Sequence, residues 1–376
     1  MPRSAPWIGS KIADSAKERL SRRRFGKLLA ATGVSLVTVP VVSRNPAAAN
    51  DEAFYYTWGG YDIPEFFGEY FAKYNAYPEM ATYSSMTEAL AKIRGGFVVD
   101  VVHPCNVNIA GWIDAGVLQP IDTSKLSHWD DLIPSLKKIG VSNGKNYFAP
   151  MDWGQNSITY RTDLVDWQGA EESWGLLWDE RYKGKIGILS NEGDAWWCAA
   201  IYGGVPLDEI NTAENIEKVA ELLRRQRPLV LNYYDDVTNI EQALASGELV
   251  AAMTWNETPT RLKKDGVPVA FARPKEGALT WVCGAAMYAE APHVDKAHEV
   301  IDSLISPDSG RFLIDAYGYG HSNAKSFDLV SEERLSELGL PRDPNELLQS
   351  GKLQTEQSPE FASTIAAIFA EIKSGF

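Results

Sequence analysis

Cysteine is scarce in this chain: 376 residues carry three, Cys105, Cys198 and Cys283. An odd count at irregular spacing excludes a disulfide framework and a cysteine metal signature, and predicts small, buried apolar side chains. The five histidines, His293 and His321 among them, fall at no metal-ligand spacing, so no zinc site is expected. Long hydrophobic runs are missing too. The apolar run at 28–42 is interrupted by Thr, Ser, Gly and Pro and is shorter than the roughly 20 residues of a membrane span. Basic charge is thin beyond the N-terminus. Residues 1–49 hold nine of the 36 Lys and Arg and two of the 50 Asp and Glu, which leaves 27 basic against 48 acidic residues in the remainder. Such a surface repels phosphate backbones and anionic lipid, so nucleic acid and membrane surfaces are excluded as partners, and a cationic ligand is favoured. There is no internal repeat, no low-complexity linker and no cofactor motif.

What is present begins with an address. Ser21-Arg22-Arg23-Arg24-Phe25-Gly26-Lys27 fits the twin-arginine export pattern. The apolar run follows, and then Ala47-Ala48-Ala49 as a small-residue cleavage site. The mature chain is expected to begin near Asn50 in the periplasm, and no Cys follows the run as a lipoprotein would require. Hydrophobic content of 45%, with 11% aromatic, supports two sizeable cores.

The stretch at 54–64, Phe-Tyr-Tyr-Thr-Trp-Gly-Gly-Tyr-Asp-Ile-Pro, organises the rest. A β-type run ends at Trp58, two glycines break it, and Pro64 opens a helix predicted over 64–75. Trp58 and Tyr61 thereby stand at the carboxyl end of a strand, the edge where open α/β sheets bind ligands. Strands are predicted at 80–83, 98–102, 157–160, 185–189, 249–254 and 279–288. Helices are predicted at 88–94 capped by Thr87, and at 106–116, 130–139, 194–202, 212–225, 294–305, 309–316, 332–337 and 359–373, with another starting near Glu257. This alternation implies a mostly parallel sheet with right-handed crossovers. Two lobes without a flexible linker imply that the chain crosses between them more than once.

Several motifs resemble the spermidine/putrescine-binding proteins of bacterial ABC importers. They are Trp58-x-x-Tyr61-x-x-Pro64, Ser173-Trp174-x-x-Leu177-Trp178 with Tyr182-Lys183-Gly184-Lys185, Met253-Thr254-Trp255-Asn256, and Pro274-Lys275-Glu276-Gly277 before Trp281. The resemblance runs over essentially all of 54–376. It implies a two-lobed α/β fold of the class II periplasmic-binding type, a clamshell with a two-strand hinge. Lobe one would be 50–155 plus 281–330, and lobe two 156–280 plus 331–376. It also implies a monomer that hands a small ligand to an inner-membrane permease without chemistry or cofactor.

Carried over residue by residue, the family's aromatic contacts fall on Trp58, Tyr61, Trp255, Trp281 and Tyr319, an amide on Gln354 and a carboxylate on Asp194. Departures matter as much. A family Asp falls at Cys283, another acid at Asn191, and a Ser-x-Tyr pair at Cys105 and Val107. Losing up to two acids weakens the grip on primary ammonium groups, whose N–H donors need acceptors. A methylated onium group has no such donors and is held by ring faces. The expected ligand is therefore a small organic cation: a polyamine by family, or a compact quaternary ammonium or sulfonium such as betaine, choline or dimethylsulfoniopropionate. A zwitterion would also need a donor for its carboxylate, with Asn106, Asn191 and the indole N–H groups as candidates.

Two rival readings come from the same broad fold. Cys105 or Cys283, with His103 nearby, could serve a thiaminase-like enzyme as nucleophile. The adjacent Tyr233 and Tyr234 could bind ferric ion. A Cys105–Cys283 disulfide is the third use of those thiols, open in an oxidising compartment.

Overall fold

The computed structural model describes residues 51–354 and 357–375; the predicted export signal at 1–49 lies outside them. Among the described residues one large mixed sheet runs through the molecule. Eight of its strands form a continuous path. In chain order they are β1 (Phe54–Trp58), β2 (Glu79–Tyr83), β3 (Val101–Val102), β4 (Ala149–Arg161), β5 (Ile186–Leu189), β6 (Val230–Tyr234), β7 (Ala251–Trp255) and β8 (Leu279–Tyr288). Their spatial order is β2-β1-β3-β8-β4-β7-β5-β6.

Two hydrophobic cores lie at the two ends of this path. The first gathers Tyr55, Tyr56, Phe66, Trp112, Met287 and Leu313 with their neighbours. The second gathers Trp174, Trp196, Trp197, Leu223, Leu244 and Ile365 with theirs. β4 and β8 belong to both. Met151 and Trp153 of β4 pack in the first core, and Ile158 and Tyr160 in the second. On β8, Leu279 is in the second core and Val282 in the first. The two strands pair antiparallel, Thr280 opposite Gln155 and Trp281 opposite Gly154. These are the two strands that join the lobes.

This pairing corrects the expectation of a mostly parallel sheet. β1–β2, β1–β3, β5–β7 and β5–β6 are parallel, as βα units require. The shared strands are antiparallel to each other and to their neighbours β3 and β7. The chain leaves the first lobe on β4 and returns on β8 in the opposite direction, which no local periodicity reveals. β4 is also one strand of 13 residues, where the sequence predicts only 157–160. Pro150 sits at its start, beside a bulge between Cys283 and Gly284 of β8. The backbones approach closely there: a Cβ on Gly284 would lie 2.2 Å from the Ala149 carbonyl oxygen.

Smaller corrections have equally local causes. The predicted helix at 130–139 is two 3₁₀ turns, Trp129–Asp131 and Leu136–Lys138. Pro134 between them lacks an N–H and forces extended backbone before it. Ser85, not Thr87, caps the helix Met86–Arg94, accepting from the Glu88 N–H. Only Val101–Val102 of the predicted strand at 98–102 joins the sheet.

Candidate functional site

The stretch at 54–64 folds as its composition dictates. β1 ends at Trp58, and Gly60 takes a φ of +95°, which a side chain would resist. The turn closes with the Tyr61 N–H donating to the Trp58 carbonyl at 3.2 Å. Tyr61 is thereby carried over the carboxyl ends of β1 and β3. Its hydroxyl donates to Asp152 Oδ2 at 2.6 Å, and Asp152 Oδ1 lies 2.9 Å from His103 Nε2. His103 Nδ1 is in turn within 2.8 Å of the Tyr55 hydroxyl and 3.0 Å of Thr57 Oγ1. Burial, and then the Asp152 carboxylate, holds the Tyr61 phenol well above its usual value, so it stays protonated.

Strand register sets the floor of the site. Side chains alternate along a strand, so Asp152, Gly154 and Asn156 share one face of β4. Opposite them, on the same face, stand Cys283, Trp281 and Leu279 of β8. Trp255 of β7 lies opposite Asn156 from the other side. Tyr319 stacks edge-on against Trp281 with centroids 5.0 Å apart. A row of near-parallel rings continues from it: Tyr319 to Tyr317 at 6.2 Å, Tyr317 to Tyr61 at 5.8 Å, and Tyr61 to Phe66 at 5.4 Å. Tyr317 ties this row to the first turn by donating to the Gly60 carbonyl at 2.7 Å. Trp58 stands at the rim, edge-on against Tyr83 at 4.7 Å.

The far wall belongs to a helix, α1 (Glu192–Tyr202), whose N-cap is Asn191. Asn191 Oδ1 accepts from the Asp194 N–H at 3.0 Å, so its amide serves the helix. Trp255 Nε1 donates to Asp194 Oδ2 at 3.2 Å. Gln354 reaches the same corner: a Cβ on Gly193 would sit 3.2 Å from Asn191 Oδ1 and 3.7 Å from Gln354 Nε2. Asn106 closes the ring from below. Its Nδ2 donates to the Gln354 carbonyl at 2.7 Å and its Oδ1 accepts from the Val282 N–H at 3.1 Å. That amide is used up in structure. Contacts and register link Tyr61, Cys283, Trp281, Tyr319, Trp255 and Asp194 along the two joining strands, with Asn191, Gln354 and Asn106 at one corner and Trp58 beside the first turn.

Cys283 differs from its expectation as a free apolar thiol. It is bonded to Cys105, and the two residues face each other across an antiparallel bridge. Cys198 is the free cysteine, buried in α1, and burial pushes its thiol well above the usual value. No nucleophilic thiol therefore remains near His103, whose ring is occupied by Asp152 and Tyr55. The Tyr233 phenol is pushed up to about 12 by burial, against the phenolate that ferric ion requires; its ring packs edge-on against Phe369 at the end of β6.

Three side chains of the site carry no signal in the motifs. Asp152 supplies a buried carboxylate directly opposite Cys283, one strand away from where the family carboxylate is lost. Glu257 opens α2 (Glu257–Lys264), is 7% exposed, and faces the Tyr319 hydroxyl. Burial raises its carboxyl above the usual value, and its ion pair with Arg261 at 3.1 Å partly offsets this. Tyr317 completes the ring row. Trp255-Asn256-Glu257 was the available signal, because a residue two beyond a strand-end Trp is carried to the same mouth. Asn256 secures that mouth, donating to the Gly318 carbonyl at 2.6 Å.

Two openings are lined by other groups of residues, the second including Asn106 and Gln354. A groove of about 780 Å³ runs along the opposite face of β4, past Trp153, Gln155, Arg273 and Leu347. A second of about 590 Å³ lies outside the Asn106–Gln354 contact. The first is lined by Trp153, Phe271, Glu332, Glu337 and Glu346 as well as by Lys263, Arg273 and Arg342, and it holds none of the motif-derived rings Trp58, Tyr61, Trp255, Trp281 and Tyr319, so the site is assigned on those rings instead of volume.

Two α/β lobes joined by a pair of long strands are the architecture of the periplasmic binding proteins. The chain belongs to the bacterial extracellular solute-binding protein family, whose profile matches residues 70–336. It is 26% identical over 314 residues to the spermidine/putrescine-binding periplasmic protein of Salmonella typhimurium, covering 82% of this chain and 88% of that one. The putrescine/agmatine-binding protein of Pseudomonas aeruginosa is 27% identical over 323 residues, 80% of this chain and 86% of its own. Among solved structures, the spermidine/putrescine ABC transporter substrate-binding protein of Streptococcus pneumoniae superposes with a TM-score of 0.74 at 19% identity, over 87% of this chain and 99% of that one.

Proposed function

We propose that this protein captures a small organic cation between its lobes and delivers it to an inner-membrane ABC permease. The observation that carries the reading is the run of rings Trp281, Tyr319, Tyr317 and Tyr61, with Trp255 beside it and the carboxylates of Asp152, Asp194 and Glu257 behind. Each ring face turned to a desolvated cation gives roughly 0.5–2 kcal/mol. Three or four of them supply a large part of the roughly 8 kcal/mol that micromolar binding needs. The preferred ligand is a compact quaternary ammonium or sulfonium compound, betaine, choline or dimethylsulfoniopropionate. A bond between Cys105 and Cys283 occupies the place where the family's ammonium-gripping carboxylate would stand. A polyamine is the second reading, supported by the names of the relatives and by Asp152 opposite that position.

The working unit is a periplasmic monomer, exported by the twin-arginine signal and cleaved near Ala49. Lobe one takes 50–155 and 281–330 and, because Leu335 and Leu340 pack in the first core, extends to about 340; lobe two takes 156–280 and the C-terminal helix. Closure about β4 and β8 over the ligand presents the liganded form to the permease. No bond is made or broken. Calorimetry with spermidine, putrescine, glycine betaine and dimethylsulfoniopropionate tests this directly. Tight binding of an onium compound with weak spermidine binding is expected; tight spermidine binding reverses the choice, and silence from all four rejects a cation site.

A further inference from the structure

The polar groups of the cleft are unevenly matched. Its carboxylates are engaged: both Asp152 oxygens by Tyr61 and His103, Asp194 by Trp255, and Glu257 by Arg261. Several of its N–H donors are not. Trp58 Nε1 and Trp281 Nε1 are buried and make no hydrogen bond. Asn156, fully buried on β4, leaves both Nδ2 and Oδ1 without a partner, and no other described side chain has two such atoms. By register it stands on the same face as Asp152 and Gly154, between Trp255 and Leu279 and next to the Trp281 position.

An amide buried without partners is costly, and so is an indole N–H, unless something arrives to satisfy them. A polyamine could donate to Asn156 Oδ1 but offers nothing to the N–H groups of Asn156, Trp58 and Trp281, because ammonium groups bring only donors. Onium carbons bring neither donors nor acceptors. The missing element is an acceptor that takes several N–H groups at once, and a carboxylate accepts up to four. Resting on the small-cation reading above, we propose that the ligand is a zwitterion. Its onium end lies against the rings and acids, and its carboxylate accepts from Asn156 Nδ2 and the Trp281 indole, with Trp58 as a third donor at the rim. Asn156 Oδ1 then faces the polarised C–H groups beside the cationic centre. Asn106 takes no part, since its amide is committed to Gln354 and Val282; Asn191 commits its Oδ1 to the α1 cap.

Glycine betaine and choline share a trimethylammonium head and differ in carboxylate against hydroxyl, so wild-type calorimetry reads the second end without any variant. Betaine is expected to bind about ten- to a hundredfold tighter than choline, the value of a charge-assisted hydrogen-bond set. Trp281→Phe keeps a ring and removes the N–H. It should weaken both ligands through the poorer ring but weaken betaine about tenfold more than choline, because only betaine also loses the N–H; Asn156→Ala, checked for folding by thermal melting, should likewise cost betaine more than choline. Equal betaine and choline affinity, or equal losses in Trp281→Phe, overturns the carboxylate assignment while leaving the cation site standing. Spermidine binding with no onium binding has the same consequence. If betaine, choline and spermidine all fail to bind, the cation site itself is rejected, and the zwitterion with it.

Discussion

The ring of Trp281 occupies the space that a side chain at residue 154 would fill: a Cβ on Gly154 would lie 2.3 Å from Trp281 Cζ2 and 2.8 Å from Asn256 Oδ1. The glycine lets the indole lie across the joining strands and form the floor of the cleft. Its backbone is ordinary, so the requirement is one of space alone.

Gly154→Ala therefore displaces Trp281 without breaking the β4–β8 pairing. Affinity for the proposed cationic ligand should fall about tenfold or more, in the range of one lost ring contact. Calorimetry checks this beside a thermal melt, which should shift far less than the binding does. Unchanged affinity would remove Trp281 from the site.

Glu257 gives the cleft a pH dependence. Its carboxyl is held above its ordinary value of 4.5 by burial. In the empty protein the protonated form is the better buried one, so this group's contribution to stability declines as pH rises from 4.5 through the raised value. A cationic ligand reverses the preference and favours the carboxylate. Affinity should thus fall as pH drops through the raised value, beginning above 4.5, and Glu257→Gln should remove that slope at a cost of about tenfold near neutrality. Titration calorimetry across that range measures both.

The Cys105–Cys283 bond closes a sequence separation of 178 residues. Thiol titration of denatured protein should find one reactive cysteine without reductant and three with it. Reduction or Cys283→Ser should cost about 2–4 kcal/mol of stability, read as a lower Tm. Three thiols in unreduced protein would contradict the bond.

Tyr61 has two separable roles. Its ring belongs to the aromatic row, and its hydroxyl satisfies Asp152. Tyr61→Phe keeps the first and removes the second, so it should cost about 1–3 kcal/mol in denaturant unfolding and change ligand affinity little. Tyr61→Ala should lose both.

The rings were legible early because each sits at a place that local rules mark. Trp58 and Tyr61 flank a strand-ending glycine pair, Trp255 ends β7, and Trp281 lies in an apolar run whose predicted bounds match β8. The amphipathic helices were equally plain, and Asn191 stands just before one of them. Asp152 and Asn156 were not legible, because their segment reads as two short pieces around a proline and a glycine. Cys105 and Cys283 pointed in several directions at once, since two cysteines that far apart say nothing of their distance in space.

What the chain by itself determined is the alternation of strand and helix, the aromatic supply, the acidic surface and the turn that lifts Tyr61 over its sheet. Each follows from interactions within a few residues: side-chain period, capping and the backbone freedom of Gly60. Only tertiary structure decided that β4 and β8 would lie antiparallel with Trp281 over Gly154, that Cys105 would meet Cys283, and that Asp152 and Glu257 would supply the buried charge. Those outcomes rest on register between segments more than a hundred residues apart. Register is settled when two cores close together on the strands they share.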